Sequence, residues 1–192
     1  MVSSFGNCHR NAALGDGDAI KEIWERWRQP DLQALEARLT EHVIDRFAGS
    51  TERFQSLGVC INSPGKTCTT IDTKHSLHIG LHLDNFDRLP IMDREQSRNR
   101  VSVNLGRGDR WLYFGATTLI AMARASSAPP AESHQSVIKI FFRRHPEQPI
   151  FRVRIAPGEV YIAPSENIVH DGYTIGNPHP DISFTFLGDF QD

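Results

Sequence analysis

Apolar and polar positions alternate along this chain in two distinct ways, and the change between them divides it. In residues 17–48, Ile20, Ile23, Trp24 and Trp27 recur at three- and four-residue intervals, and Leu32, Leu35, Leu39, Val43 and Phe47 continue the pattern after Pro30. That spacing places one apolar stripe on a helix. Pro30 interrupts the run, Asp31 is placed to cap a second helix, and Gly49-Ser50 closes it. From residue 57 the pattern shortens to β-type runs bounded by Gly, Pro, Asn and Asp. The predicted strands are Leu57–Asn62, His75–Leu83, Arg100–Leu105, Arg110–Phe114, Val137–Phe142, Phe151–Ile155, Val160–Ala163 and Ile182–Leu187. Thr117–Arg124 reads as a helical turn, and Ala125–Ser136, with Pro129-Pro130, as a mobile loop. Many short strands with such turns suggest a sandwich or barrel rather than a βαβ fold. The expectation is one domain over 1–192, mainly β with N-terminal helices (α+β), in which a helical support at 17–48 packs on an antiparallel β-roll at 57–188.

Composition narrows the class without naming a function. The chain has 192 residues, enough for one real core, with 39 % hydrophobic and 23 % charged residues. A formal net charge of −2, from 21 basic and 23 acidic residues, argues against a nucleic-acid or anionic-membrane surface. Cys8, Cys60 and Cys68 are sparse, without metal-type CxxC spacing, and read as free thiols of a reducing cytoplasm. No run of about 18 apolar residues and no apolar signal core stand in the sequence, so neither export nor membrane insertion is expected.

The chemistry concentrates in two places. In Leu77-His78-Ile79-Gly80-Leu81-His82-Leu83-Asp84, strand alternation would project His82 and Asp84 to one face and Leu81 and Leu83 to the other. Far along the chain, Pro157-Gly158 offers a tight turn, Val160–Ala163 a short strand, and His170-Asp171-Gly172 an imidazole followed by a turn. Two imidazoles and one carboxylate are the ligand set of a facial-triad iron site, which leaves positions open for cosubstrate and oxygen. His78 shares the predicted face of His82 and Asp84; a three-histidine cupin site would use it, but Asp84 in register favours the two-His-one-carboxylate set, with His78 beside the pocket.

This order of features resembles the Fe(II)/2-oxoglutarate-dependent dioxygenase superfamily of double-stranded β-helix (jelly-roll, cupin-like) folds. Members carry HxD on an early core strand and later a Pro-Gly turn, a strand and a distal His. Here His170 follows Asp84 by 86 residues, within the family's usual range. The pair Arg100–Gly106 and Trp111–Gly115 is similar to the strands after the HxD in alkylation-repair-type members. The resemblance spans about residues 75–188. It implies Fe(II) held by His82, Asp84 and His170, with 2-oxoglutarate and molecular oxygen as cosubstrates and a small molecule, such as an amino acid or biosynthetic intermediate, as substrate.

One position departs from the family pattern. An Arg is expected about ten residues after the distal His, as RxS, to pair with the far carboxylate of 2-oxoglutarate. The chain reads Asp181-Ile182-Ser183 there: Ser183 matches, but the charge is reversed. Either another strand supplies the cation, or the enzyme works without 2-oxoglutarate and Asp181 holds a cationic group of the substrate. Arg100 is the first candidate, on the predicted face of Ser102 and Asn104, with Arg110, Arg152 and Arg154 behind it. Arg100, Asn104 and Ser183 are thus the expected cosubstrate contacts. A cupin-type metal-dependent isomerase and a non-catalytic binding barrel are the competing classes. Trp111, Tyr113 and Tyr173 are candidate pocket aromatics, Asn85 and Phe86 are placed at the pocket mouth, and Arg143-Arg144-His145 reads as a solvated strand end.

Overall fold

Polar and apolar residues alternate on the central strands so strictly that one sheet face builds the core and the other builds a cavity. The computed structural model describes residues 22, 25, 26, 28–72, 75, 77–127 and 133–190. Ile20, Ile23, Trp24 and Trp27 of the first predicted helix lie outside these. Helix α1 (Pro30–Phe47) begins on its proline, whose missing N–H costs nothing in a first turn. Asp31 sits inside that first turn rather than capping it, paired with Arg26 at 2.6 Å. The strands follow as β1 (Ala48–Asn62), β2 (Ile71–Asp72), β3 (Leu77–His78), β4 (Asn99–Asn104) and β5 (Arg110–Thr118). Helices α2 (Leu119–Ala125) and α3 (His134–Arg144) intervene before β6 (Ile150–Ile155), β7 (Val160–Ala163), β8 (Ile168–Tyr173) and β9 (Asp181–Phe190). A 3-10 helix (Ile91–Gln96) precedes β4.

The chain is mainly β-sheet with helices. An antiparallel four-stranded sheet runs β1-β9-β4-β7, and an antiparallel three-stranded sheet runs β6-β5-β8. In the larger sheet, Val59, Ile61, Val101, Val103, Phe184 and Phe186 form one buried cluster with Val43 of α1. Their alternates Cys60, Asn62, Arg100, Ser102, Ser183 and Thr185 line a cavity on the other face. The smaller sheet adds Arg110 and Leu112 from β5 and His170 and Gly172 from β8 to the same cavity. A second core cluster joins Leu83 and Val169 to Leu119 and Met122 of α2 and Val137 and Phe141 of α3.

Three predicted elements take another form. Val137–Phe142 is part of helix α3, not a strand. The Ser133 hydroxyl caps it by accepting from Ser136 N at 3.2 Å, and Val137 and Phe141 recur at helical spacing into the second core cluster. A short apolar run fits either periodicity, and here the cap and the partner helix decide. Consequently Ser133 and His134–Ser136 leave the predicted loop, Arg143 and Arg144 end a helix, and residues 128–132 lie outside the described part. The predicted strand His75–Leu83 is extended only at Leu77–His78, because Gly80 takes φ 74° and turns the chain. The residues His170-Asp171-Gly172 lie within strand β8 rather than in a turn.

Candidate metal centre

A reciprocal pair of backbone hydrogen bonds brings the two halves of the sequence pattern together. His82 N donates to His170 O at 3.1 Å, and His170 N donates to His82 O at 2.9 Å, an isolated antiparallel bridge. Asp84 N donates to Ser165 O at 3.0 Å, tying the next alternate position to the segment before β8. Leu83 points the other way into the second core cluster. His82 and Asp84 therefore project together, although no regular strand carries them.

The ligand atoms of His82, Asp84 and His170 lie within 4.8 Å of one another. Asp84 Oδ1 is 4.0 Å from His82 Nε2, and Asp84 Oδ2 is 3.6 Å from His170 Nε2. The imidazole centroids are 4.7 Å apart. His82 Nδ1 donates to Gly80 O at 2.8 Å and His170 Nδ1 to Ile168 O at 3.2 Å. A carbonyl only accepts, so both rings donate from Nδ1 and turn Nε2 toward the carboxylate. That tautomer suits a divalent cation. His170 Nε2 is buried and has no hydrogen-bond partner among the described residues. A buried acceptor left in that state is costly unless something binds it. Burial holds the His170 pKa down to about 4, with Asp84 opposing, so the ring is neutral at physiological pH.

Asp84 is ionised for a different reason. Burial works against the charge, but Arg100, then His170 and His82, outweigh it and keep the carboxyl below its usual range. Arg100 Nη2 lies 2.9 Å from Asp84 Oδ2, a contact that is ionic without hydrogen-bond alignment. The guanidinium also lies 5.7 Å from the Phe86 ring centroid.

The cavity encloses about 360 Å³. Of the sequence-predicted cosubstrate contacts, Arg100 and Ser183 line it and Asn104 does not. The Asn104 amide instead donates to Gly108 O and Ile155 O and accepts from Gly106 N, holding the turn after β4. Arg110, a secondary candidate in the sequence, lines the cavity with a buried guanidinium. Asp181 lies beside it outside the lining: Arg110 Nε is 3.4 Å from Asp181 Oδ1, and Asn62 Nδ2 donates to Asp181 Oδ2 at 3.0 Å. Burial opposes the Arg110 charge, but Asp181 outweighs it and raises the pKa above its ordinary value. Arg110 Nη1 has no hydrogen-bond partner among the described residues.

Asn85 and Phe86 line the cavity as expected. Trp111, Tyr113 and Tyr173 do not: Arg152 covers the Trp111 ring at 4.3 Å, and Tyr113 meets Tyr173 edge-on. Arg154 pairs with Asp109 at the surface, and His78 is exposed on β3. The sequence reading missed Tyr161, Cys60, Asn62 and Thr69 as lining residues. For Cys60 and Asn62 the signal was available, since they alternate with Val59 and Ile61. Cys68, behind this wall, is held inert by burial, which with Asp171 pushes its thiol up to about 11.

Fold and site together define a mainly β protein whose two sheets share a cavity holding two imidazoles and a carboxylate. No protein-family model matches the chain, and no curated protein matches it. Among solved structures it is similar to the apo form of the Kdo hydroxylase KdoO, a non-heme Fe(II) alphaketoglutarate dependent dioxygenase. Identity is 12 % and the TM-score 0.41, with 72 % of this chain and 54 % of that chain covered. The same hydroxylase in complex with succinate and Fe(III) gives 11 % identity, a TM-score of 0.39 and the same coverages. The chain thus spans about half the length of these proteins. No helix among the described residues is long and apolar enough to cross a membrane.

Proposed function

We propose that the chain is a non-heme Fe(II)-dependent oxygenase of double-stranded β-helix type, using 2-oxoglutarate and molecular oxygen to oxidise a small molecule. The observation that carries this reading is the commitment of both Nδ1–H groups to backbone carbonyls. It leaves both Nε2 atoms and the Asp84 carboxylate converging on one point. His82, Asp84 and His170 would hold the metal, and the orphaned buried Nε2 of His170 fits a bound cation. When bound, Fe(II) would supply the redox chemistry that activates oxygen for oxidation of the substrate.

The remaining residues bind, orient and exclude water. Arg110, with an unengaged Nη1 in the cavity, is the group to hold the far carboxylate of 2-oxoglutarate. Asp181 then answers the reversed charge in the sequence, because it keeps the Arg110 guanidinium in place from behind rather than facing the ligand. Ser183 and Tyr161 line the same cavity. Arg100, already engaged with Asp84, orients that carboxylate instead. Leu112 and Phe86 supply apolar wall, and a cavity of about 360 Å³ suits a small molecule.

Anaerobic titration with Fe(II) and 2-oxoglutarate tests the reading. A weak visible charge-transfer band, absent in His170→Ala, is the expected result. Iron binding without the band, with oxygen uptake dependent on substrate alone, would overturn the 2-oxoglutarate part. No metal binding would overturn the whole.

A further inference from the structure

Behind the triad, a buried ion pair ties together the two segments that carry its ligands. Arg94, on the 3-10 helix, is 3 % exposed, and Glu166, four residues before His170, is 1 % exposed. Arg94 Nη1 donates to Glu166 Oε2 at 3.0 Å and to the backbone carbonyl of Asp84 itself at 3.2 Å. Arg94 Nη2 donates to Asn85 Oδ1. The other carboxylate oxygen, Glu166 Oε1, accepts from Phe86 N at 2.6 Å and Asp87 N at 2.8 Å. Residues 84–87 are thus gripped at successive positions by one guanidinium and one carboxylate.

A buried pair of this kind is a poor stabilising device, because desolvating two ions offsets most of their attraction and an apolar pair would serve as well. What the pair offers is direction. A planar guanidinium with several fixed donors, and a carboxylate with two acceptors, define the path of the chain they bind. The path they define is that of Asp84, which no regular strand carries, relative to the segment leading to His170.

We propose that Arg94 and Glu166 are positioning residues that hold Asp84 in register with His170 for metal binding. This rests on the reading of His82, Asp84 and His170 as metal ligands. Glu166→Gln is the discriminating variant. Its Oε1 can still accept from Phe86 N and Asp87 N, while its amide opposes the Arg94 donors with donors of its own.

The test is anaerobic titration of the metal-free full chain with Co(II), read by its visible ligand-field spectrum. Circular dichroism is recorded alongside, for wild type, His170→Ala, Glu166→Gln, Arg94→Lys and Arg94→Met. The expected result is folded Glu166→Gln with Co(II) affinity about 10–100-fold weaker and an altered spectrum. Arg94→Lys should recover part of what Arg94→Met loses, because it keeps the charge without the fork. A merely structural role would lower the unfolding midpoint and leave the Co(II) spectrum and affinity of the folded variants unchanged, which would overturn the proposal. Should Arg94→Met fail to fold, Glu166→Gln decides, with Asn85→Ala testing the exposed arm of the clamp. If wild type binds Co(II) and His170→Ala does not, the metal reading stands whatever Glu166→Gln shows. If wild type binds no Co(II), both fall.

Discussion

Arg110 and Asp181 face each other across 3.4 Å, both buried, where the cavity wall meets the body of the larger sheet. The pairing makes the acidic residue a support for a cation contributed by a different strand. Arg110→Met should retain metal binding and lose the charge-transfer band with 2-oxoglutarate, at least tenfold weaker in cosubstrate affinity. Arg100→Met should instead weaken metal binding. A spectroscopic titration of both variants with metal and then cosubstrate separates the two roles. Asp181→Asn leaves the Arg110 charge buried without its counter-charge and should destabilise the fold by about 3–5 kcal/mol in denaturant unfolding.

The metal-free protein should lose stability on mild acidification. His170 has a folded-state pKa of about 4 against an ordinary value of 6.5, so the unfolded chain takes up a proton that the folded chain refuses. Stability attributable to this group is complete above pH 6.5, falls as the pH drops towards 4, and is constant below. The shift corresponds to at most about 3 kcal/mol. Unfolding midpoints measured across that window should slope less in His170→Gln than in wild type.

Gly172 is required by space. A Cβ there would lie 2.2 Å from Thr69 Oγ1 and 3.3 Å from Arg110 Nη2. Gly172→Ala should cost about 1–3 kcal/mol and displace the Arg110 guanidinium. Adding Thr69→Ala removes the closer atom and should restore part of both stability and cosubstrate binding.

Phe184 is fully buried between β1 and β4 on the face opposite the cavity. Phe184→Ala should cost about 3–5 kcal/mol of unfolding free energy while metal affinity in the folded fraction stays within a few-fold.

Much of the β architecture was legible because period-two alternation is a local signal. Val101 and Val103 against Arg100 and Ser102 announce a two-faced strand in six residues, and His82-Leu83-Asp84 announces a shared face in three. Chain direction at Gly80 and the identity of Val137–Phe142 were not legible. One depends on a single positive φ, the other on which element lies across from an apolar run. The burial of Arg110 beside Asp181 was also beyond local pattern, since only the assembled sheets bring β5 against the start of β9. Arg94 and Glu166 gave no sequence signal at all: each is an ordinary charged residue until burial removes the water around it.

The bridge between His82 and His170 has a kinetic consequence. The residues it joins stand 88 positions apart in the chain, so the two imidazoles share a neighbourhood only after a long loop has closed. Loop closure on that scale must precede any gain from the contacts between the two segments. During synthesis, Asp84 and His82 emerge long before His170 exists, and neither can hold an ion tightly alone. A metal held by these residues would therefore enter a cavity whose two sheets are already assembled, rather than being wrapped by the folding chain.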